Sequence, residues 1–230
     1  MATWTRAQLR TEVRRRADME DDGNFIADAE LNNYINSAIT EWHDLIVEVS
    51  GEDVFLTSTT VAGTGAERYA LPAGFHLLRG VEQTVGTDKY PLRPHAWNKR
   101  TRGAGTTGTT PGDYTYRLEG VSATTGYTPY IRFAPALATG DSVTVWYVPQ
   151  AIALTDDAHV FDDLGGWGEF VVVAAALKCL AKEESDQSAL GAERGILEQR
   201  IRSLASVRDV TEAERVADVF DYESIPYSWR

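Results

Sequence analysis

Four aspartates stand in two pairs, Asp156–Asp157 and Asp162–Asp163, just ahead of an apolar stretch that begins at Phe170. Two carboxyl groups roughly 5–10 Å apart, one kept protonated by burial, are what hydrolysis of a glycosidic bond requires. This is the one constellation in the chain from which an enzyme could be built. Acidic residues ahead of a helix also have a simpler origin, because the positive end of the helix dipole favours them. Nothing in the spacing buries either carboxylate, so the simpler origin is adopted. The other reactive types are scattered. His43, His76, His95 and His159 form no pair at metal-ligand spacing, and there is no H-E-x-x-H. Cys179 is the single cysteine, so neither an intrachain disulfide nor a cysteine zinc cage can form. It sits in an apolar run with no base beside it and reads as a small buried hydrophobe, not a nucleophile. Gly103, Gly105 and Gly108 have no lysine after them, which excludes a P-loop, and no G-x-S-x-G occurs. No catalytic, metal-ligating or cofactor-binding residue is assigned, and no cofactor is expected.

Charge narrows the partners. The formal net charge of −12 over 230 residues makes tight, sequence-independent binding to phosphates a poor fit, since that binding draws on Lys and Arg releasing counterions. Brief contact with DNA is compatible with it, because a mostly negative bore would repel DNA and keep it from sticking. The basic run Arg10, Arg14, Arg15 and Arg16 reads as a solvated helix face, or else as a face toward DNA or an acidic partner. The longest apolar run, Phe170 to Leu177, is far short of the roughly 20 residues a bilayer span needs. No membrane partner is expected.

The elements that must position these residues follow from periodicity. Thr5 with Gln8 forms a capping box, Trp4 and Leu9 a hydrophobic staple, and Leu9, Val13 and Ala17 the apolar stripe of a first helix. A second helix starts with Asp28 as N-cap and carries a stripe from Leu31 through Ile35, Ile39, Trp42 and Ile46 to Val49, with Gly51 as its terminator. From Val54 the period changes to two. Strands are expected at 54–61, 68–71, 76–85, 114–118, 130–133 and 142–148, divided by glycines, which reads as an antiparallel sandwich or small barrel. Residues 100–112, rich in Gly and Thr, are expected to form a mobile surface loop. A third helix spans 167–184 and is apolar on every side between Phe170 and Ala176, so it should be central. A fourth spans 187–208, with Thr211 and Glu214 available to cap a further turn. The fold class is therefore α+β. A four-helix bundle forms from the N- and C-terminal helix pairs (residues 1–51 and 160–216), a β-rich domain is inserted at 52–159, and an extended tail occupies 217–230.

Two features point to partners. Gly191 and Gly195, four apart on the fourth helix, allow another helix to approach its backbone closely, either within the chain or as a subunit contact. The tail carries Phe220, Tyr222, Ile225, Pro226, Tyr227 and Trp229 within its last eleven residues. Aromatic groups at this density mark a docking segment that could add to another subunit as an extended strand, with a fold-back onto its own β domain as the other reading.

Several motifs together resemble the bacteriophage head-to-tail adaptor family, also called head–tail connector or tail accessory proteins. They are L-R-T-E-V-R-R-R-A-D at 9–18 and I-A-D-A-E-L-N-N-Y-I-N-S-A-I-T-E-W at 26–42, then Y-A-L-P-A-G-F at 69–75. Y-R-L-E-G at 116–120, I-R-F-A-P at 131–135 and V-W-Y-V-P at 145–149 complete the set. The resemblance covers nearly the whole chain in element order. It implies a non-enzymatic virion protein that forms a homo-oligomeric ring of about twelve copies. That ring would bind the portal protein above and a tail or neck protein below, and leave a channel for transient, non-specific passage of DNA. The C-terminal segment of such proteins commonly reaches the portal, which makes the six tail residues named above the portal-docking candidates. A stopper or tail-terminator protein one layer lower is the nearest alternative, and a cell-wall hydrolase using Asp162 and Asp163 a more distant one.

Overall fold

The computed structural model describes residues 3–20, 25–50, 54–95, 112–123 and 126–205. The loop expected at 100–112 (except Gly112), the terminator Gly51, the caps Thr211 and Glu214, and the whole tail lie outside the described residues.

The chain opens with a short strand, β1 (Thr3–Thr5), that runs directly into α1 (Arg6–Arg16). Thr5 serves both. Its extended backbone ends the strand, and its hydroxyl accepts the amide of Gln8 at 3.2 Å while the Gln8 side chain accepts the amide of Thr5 at 2.9 Å. The capping box expected from the sequence is thus formed. The next helix, α2 (Asp28–Ser50), differs at its start. The carbonyl of Ala27 accepts the amide of Leu31, which puts Ala27 at the N-cap and Asp28 inside the first turn. Asp28 is not the cap because its carboxylate is engaged by Arg14 at 2.9 Å and Arg10 at 3.7 Å, a tie between α1 and α2. The helix dipole favours a carboxylate there too.

The β part has more strands than the periodicity marked. One sheet has the order β2 (Thr57–Ala62), β9 (Ser142–Pro149), β4 (Phe75–Val85), β5 (Asp88–Pro91). The other has β3 (Arg68–Ala70), β8 (Gly126–Ala134), β7 (Thr115–Ala123), β6 (Arg93–Pro94). Pairing is antiparallel except between β6 and β7, which run parallel and so depart from the all-antiparallel expectation. Residues 54–56 stay out of β2, and Phe55 turns to the helices instead. The two sheets share a core of alternating inward side chains, among them Val81, Val143, Val145, Ile131 and Phe133. Gly63 lets the connection between β8 and β9 pass close to the end of β2, for a Cβ there would lie 1.9 Å from the carbonyl oxygen of Ala138. Tyr114 is almost wholly buried, and its hydroxyl is satisfied by Asp141 at 2.6 Å and by the amide of Ala138 at 3.1 Å.

After β9 the chain crosses back to the helices through β10 (Val160–Asp162), which pairs antiparallel with β1 and sets Trp4 opposite Phe161. A single 3-10 turn at Leu164–Gly166 leads to α3 (Gly168–Glu183), then α4 (Ser188–Ala205). Phe170 to Ala176 are all buried, as the all-round apolar pattern requires, and α3 touches α1, α2 and α4. The helices share a second core, separate from that of the sheets, which also takes in Leu154 and Phe161.

Candidate docking groove

The fold disperses the reactive residues. Asp157 pairs with Arg10 at 2.7 Å and Arg6 at 2.6 Å, whose hydrogen bonds, that of Arg10 first, hold its carboxyl below the usual carboxylate range. That is the opposite of what a general acid needs. Asp156 accepts the amide of Ala158 at 2.9 Å, and the buried Asp163 accepts the amide of Gly168 at 2.6 Å, closing the start of α3. Each of these three carboxylates has a structural employment. Cys179 is fully buried, and burial pushes its thiol up to about 11, so it stays a thiol at neutral pH. His159 accepts the amide of Thr155 at 3.2 Å. The described residues contain no group of three His, Cys, Asp or Glu side chains placed to hold a metal ion.

The partner-binding residues read from the sequence separate in the same way. Phe220, Tyr222, Ile225, Pro226, Tyr227 and Trp229 lie outside the described residues. Gly191 and Gly195 lie on the exposed face of α4, and a Cβ at either would meet no atom within 4 Å. Of the two readings of this glycine pair, close packing within the described chain is therefore not the one realised.

What the fold assembles instead is an apolar groove between the helices and the β part, with a cavity of about 210 Å³. Its floor is Ile39, Trp42 and His43 on α2. Phe55 and Phe161 form the walls, and the chain leaving β9 contributes Ile152 and Leu154. The aromatic rings brace one another. Trp42 meets Phe161 edge-on at 4.9 Å and Phe55 at 5.9 Å, while His43 stacks on Phe55 at 4.7 Å. Burial lowers the His43 pKa, with Asp44 beside it pulling the other way. The buried Nε1 of Trp42 and Nε2 of His43 have no hydrogen-bond partner, an unusual state for desolvated polar atoms. At the rim, Ile152 is 81% exposed and Val160 is 52% exposed. In the sequence Trp42 belongs to the apolar stripe of the second helix and His43 stands beside that stripe. The groove escaped because its far wall comes from residues 149–164, which carry no period.

A second apolar feature sits on α4. Ile196 is 68% exposed and Leu204 is 49% exposed, whereas only Ile201 and Ala205 of this helix are buried. Its groove and this outer face are apolar and open to solvent among the described residues, which bring no catalytic group together. The class so defined is an α+β protein with two apolar faces that its described residues leave open.

The chain belongs to the SU10 adaptor protein family, whose model matches residues 4–218. This agrees with the motif resemblance to phage head-to-tail adaptors. Among solved structures the chain is similar to one from the neck of an empty GTA particle computed with C6 symmetry. The identity is 15%, the match covers 76% of this chain and 82% of that one, and the TM-score is 0.29. No curated protein matches. No helix among the described residues is long and apolar enough to cross a membrane.

Proposed function

We propose that the protein is a head-to-tail adaptor of the phage neck, a ring of about twelve copies seated under the portal and leaving an open bore for DNA. The observation that carries this reading is the family match over residues 4–218. Two apolar surfaces that the described residues leave uncovered, beside two well-filled cores, support it, since such faces are normally covered by a partner. The work of such a protein is mechanical. In it the helices act as a four-helix bundle (1–51 and 160–216), residues 52–159 as an inserted β domain, and residues 217–230 as a docking tail whose Phe220, Tyr222, Ile225, Pro226, Tyr227 and Trp229 engage the portal. Many modest contacts become collectively strong when a ring closes. The net charge of −12 suits a channel that DNA traverses without sticking.

Electron microscopy of the purified chain mixed with its portal tests the reading, the expected result being a ring of density on the portal's tail-facing side. Deleting residues 220–230 should leave a folded protein that no longer binds portal. Failure to cross-link to portal while binding a neck or tail protein below would make it a stopper or tail terminator instead. Release of peptidoglycan fragments by the chain, lost in Asp162→Asn or Asp163→Asn, would overturn the structural role.

A further inference from the structure

The two apolar features that the described residues leave uncovered lie on opposite sides of α2. Glu41 and Glu48 of α2 pair with Arg194 and Arg202 of α4, at 2.9 and 3.1 Å. With 3.6 residues per turn, Ile39 and His43, which floor the groove, project from the other side of α2. The same geometry applies to α4. Arg194 and the buried Ile201 face α2 and α3, so Ile196 points away from them. Groove, α2, α4 and Ile196 thus follow one another across the molecule.

A patch and its complement on opposite sides of one chain cannot make a two-fold pair, which needs the same patch on both copies. They make a head-to-tail contact, and such contacts close into rings when the rotation allows. The shapes suit each other. Ile196 is a single large apolar side chain flanked by Ala192 and Gly195, so little beside it prevents the backbone of α4 from approaching a surface. The groove is an aromatic-walled slot with apolar residues on its rim. Charge suits them too. Arg200, one turn beyond Ile196, is exposed and makes no ion pair with any described residue. Asp162, in the groove lining, is exposed and its carboxylate is likewise unpaired among the described residues.

We infer that Ile196 of one copy seats in the groove of the next copy, with Gly191 and Gly195 admitting the close approach of α4 and Arg200 meeting Asp162. The occupant of the groove is a second copy of this chain. The inference rests on the ring reading above and specifies which faces meet in it.

Two full-length versions test this: a tagged Ile196→Cys chain and an untagged Ile152→Cys chain, mixed and mildly oxidised. The native Cys179 is buried and should stay silent. A disulfide joining tagged to untagged chain is expected from the mixture and from neither version alone. Adding Asp162→Arg to the untagged chain should abolish it, and adding Arg200→Asp to the tagged chain should restore it. In sedimentation of the otherwise native chain, Ile196→Asp should raise the concentration needed for association by about tenfold or more. Should the chain assemble without this cross-link and with Ile196→Asp indifferent, the chosen faces are wrong while the ring reading stands. If Val160→Asp abolishes portal binding and leaves self-association intact, the groove belongs to the portal and the inference is overturned. A chain that remains monomeric alone and on its portal would remove the ring itself, and the inference with it.

Discussion

Helices α3 and α4 are of similar length, 16 and 18 residues, and they end up in opposite circumstances. On α3, nine residues are buried, because α1, α2 and α4 surround it. On α4, only Ile201 and Ala205 are buried, although it too carries Ala, Leu and Ile on several sides. The difference is one of enclosure. A helix apolar all round satisfies its surface only when neighbours cover every side. A peripheral helix with apolar residues on its outer side has nothing among the described residues to cover them. Such a surplus, beside a groove that the described residues also leave open, is the kind of face a partner normally covers.

That contrast can be broken or sharpened by substitution. The largest effect is expected at Phe170→Ala on α3, which removes a ring that is 2% exposed and should cost about 3–5 kcal/mol in urea unfolding. Ile201→Ala, on the inward side of α4, should cost about 2–4 kcal/mol, since that side chain is 1% exposed. If Ile201→Ala proved as harmless as a surface change, α4 would not be seated as described. Gly195→Ala should go the other way. Its Cβ meets nothing, so the isolated chain should gain about 0.5–1 kcal/mol from helix propensity. The same substitution should weaken self-association, a split that a glycine without a partner would not show. Ile196→Ala should leave the unfolding free energy within about 0.5 kcal/mol of native.

A fifth test concerns the groove. Because burial lowers the His43 pKa below its ordinary 6.5, the folded chain disfavours the protonated form. The stabilising contribution is therefore complete above the unfolded pKa and is lost as pH falls from there through the lower folded value. Unfolding midpoints measured between about pH 7.5 and 5.5 should decline less in His43→Gln than in the native chain. Equal declines would mean that His43 is already solvated.

Much of the helical framework was legible in the chain because a helix is a local object. The Thr5–Gln8 capping box, the stripe from Leu31 to Ile46 and the all-round apolar run of α3 each reside in one short segment, and the structure realises them. The cap of α2 was misplaced by one residue because Asp28 is claimed by Arg10 and Arg14 from another helix, a demand no local pattern reveals. Strands β1 and β10 escaped for a related reason. Three residues each, they are strands only because they pair with one another across most of the chain. Strands β5 and β6 contain Pro91 and Pro94, which mute the strand signal.

By itself, then, the sequence determined the helical stripes, the change of period that follows α2, and the family motifs, all of them properties of residue type and near spacing. Only the tertiary structure decided which apolar faces the chain covers for itself. Ile196 and Ile201 have the same side chain on the same helix, and one is 68% exposed while the other is 1% exposed. Burial depends on what packs from elsewhere in the chain, and that information is spread over the helices and the crossing strands, not written at either position.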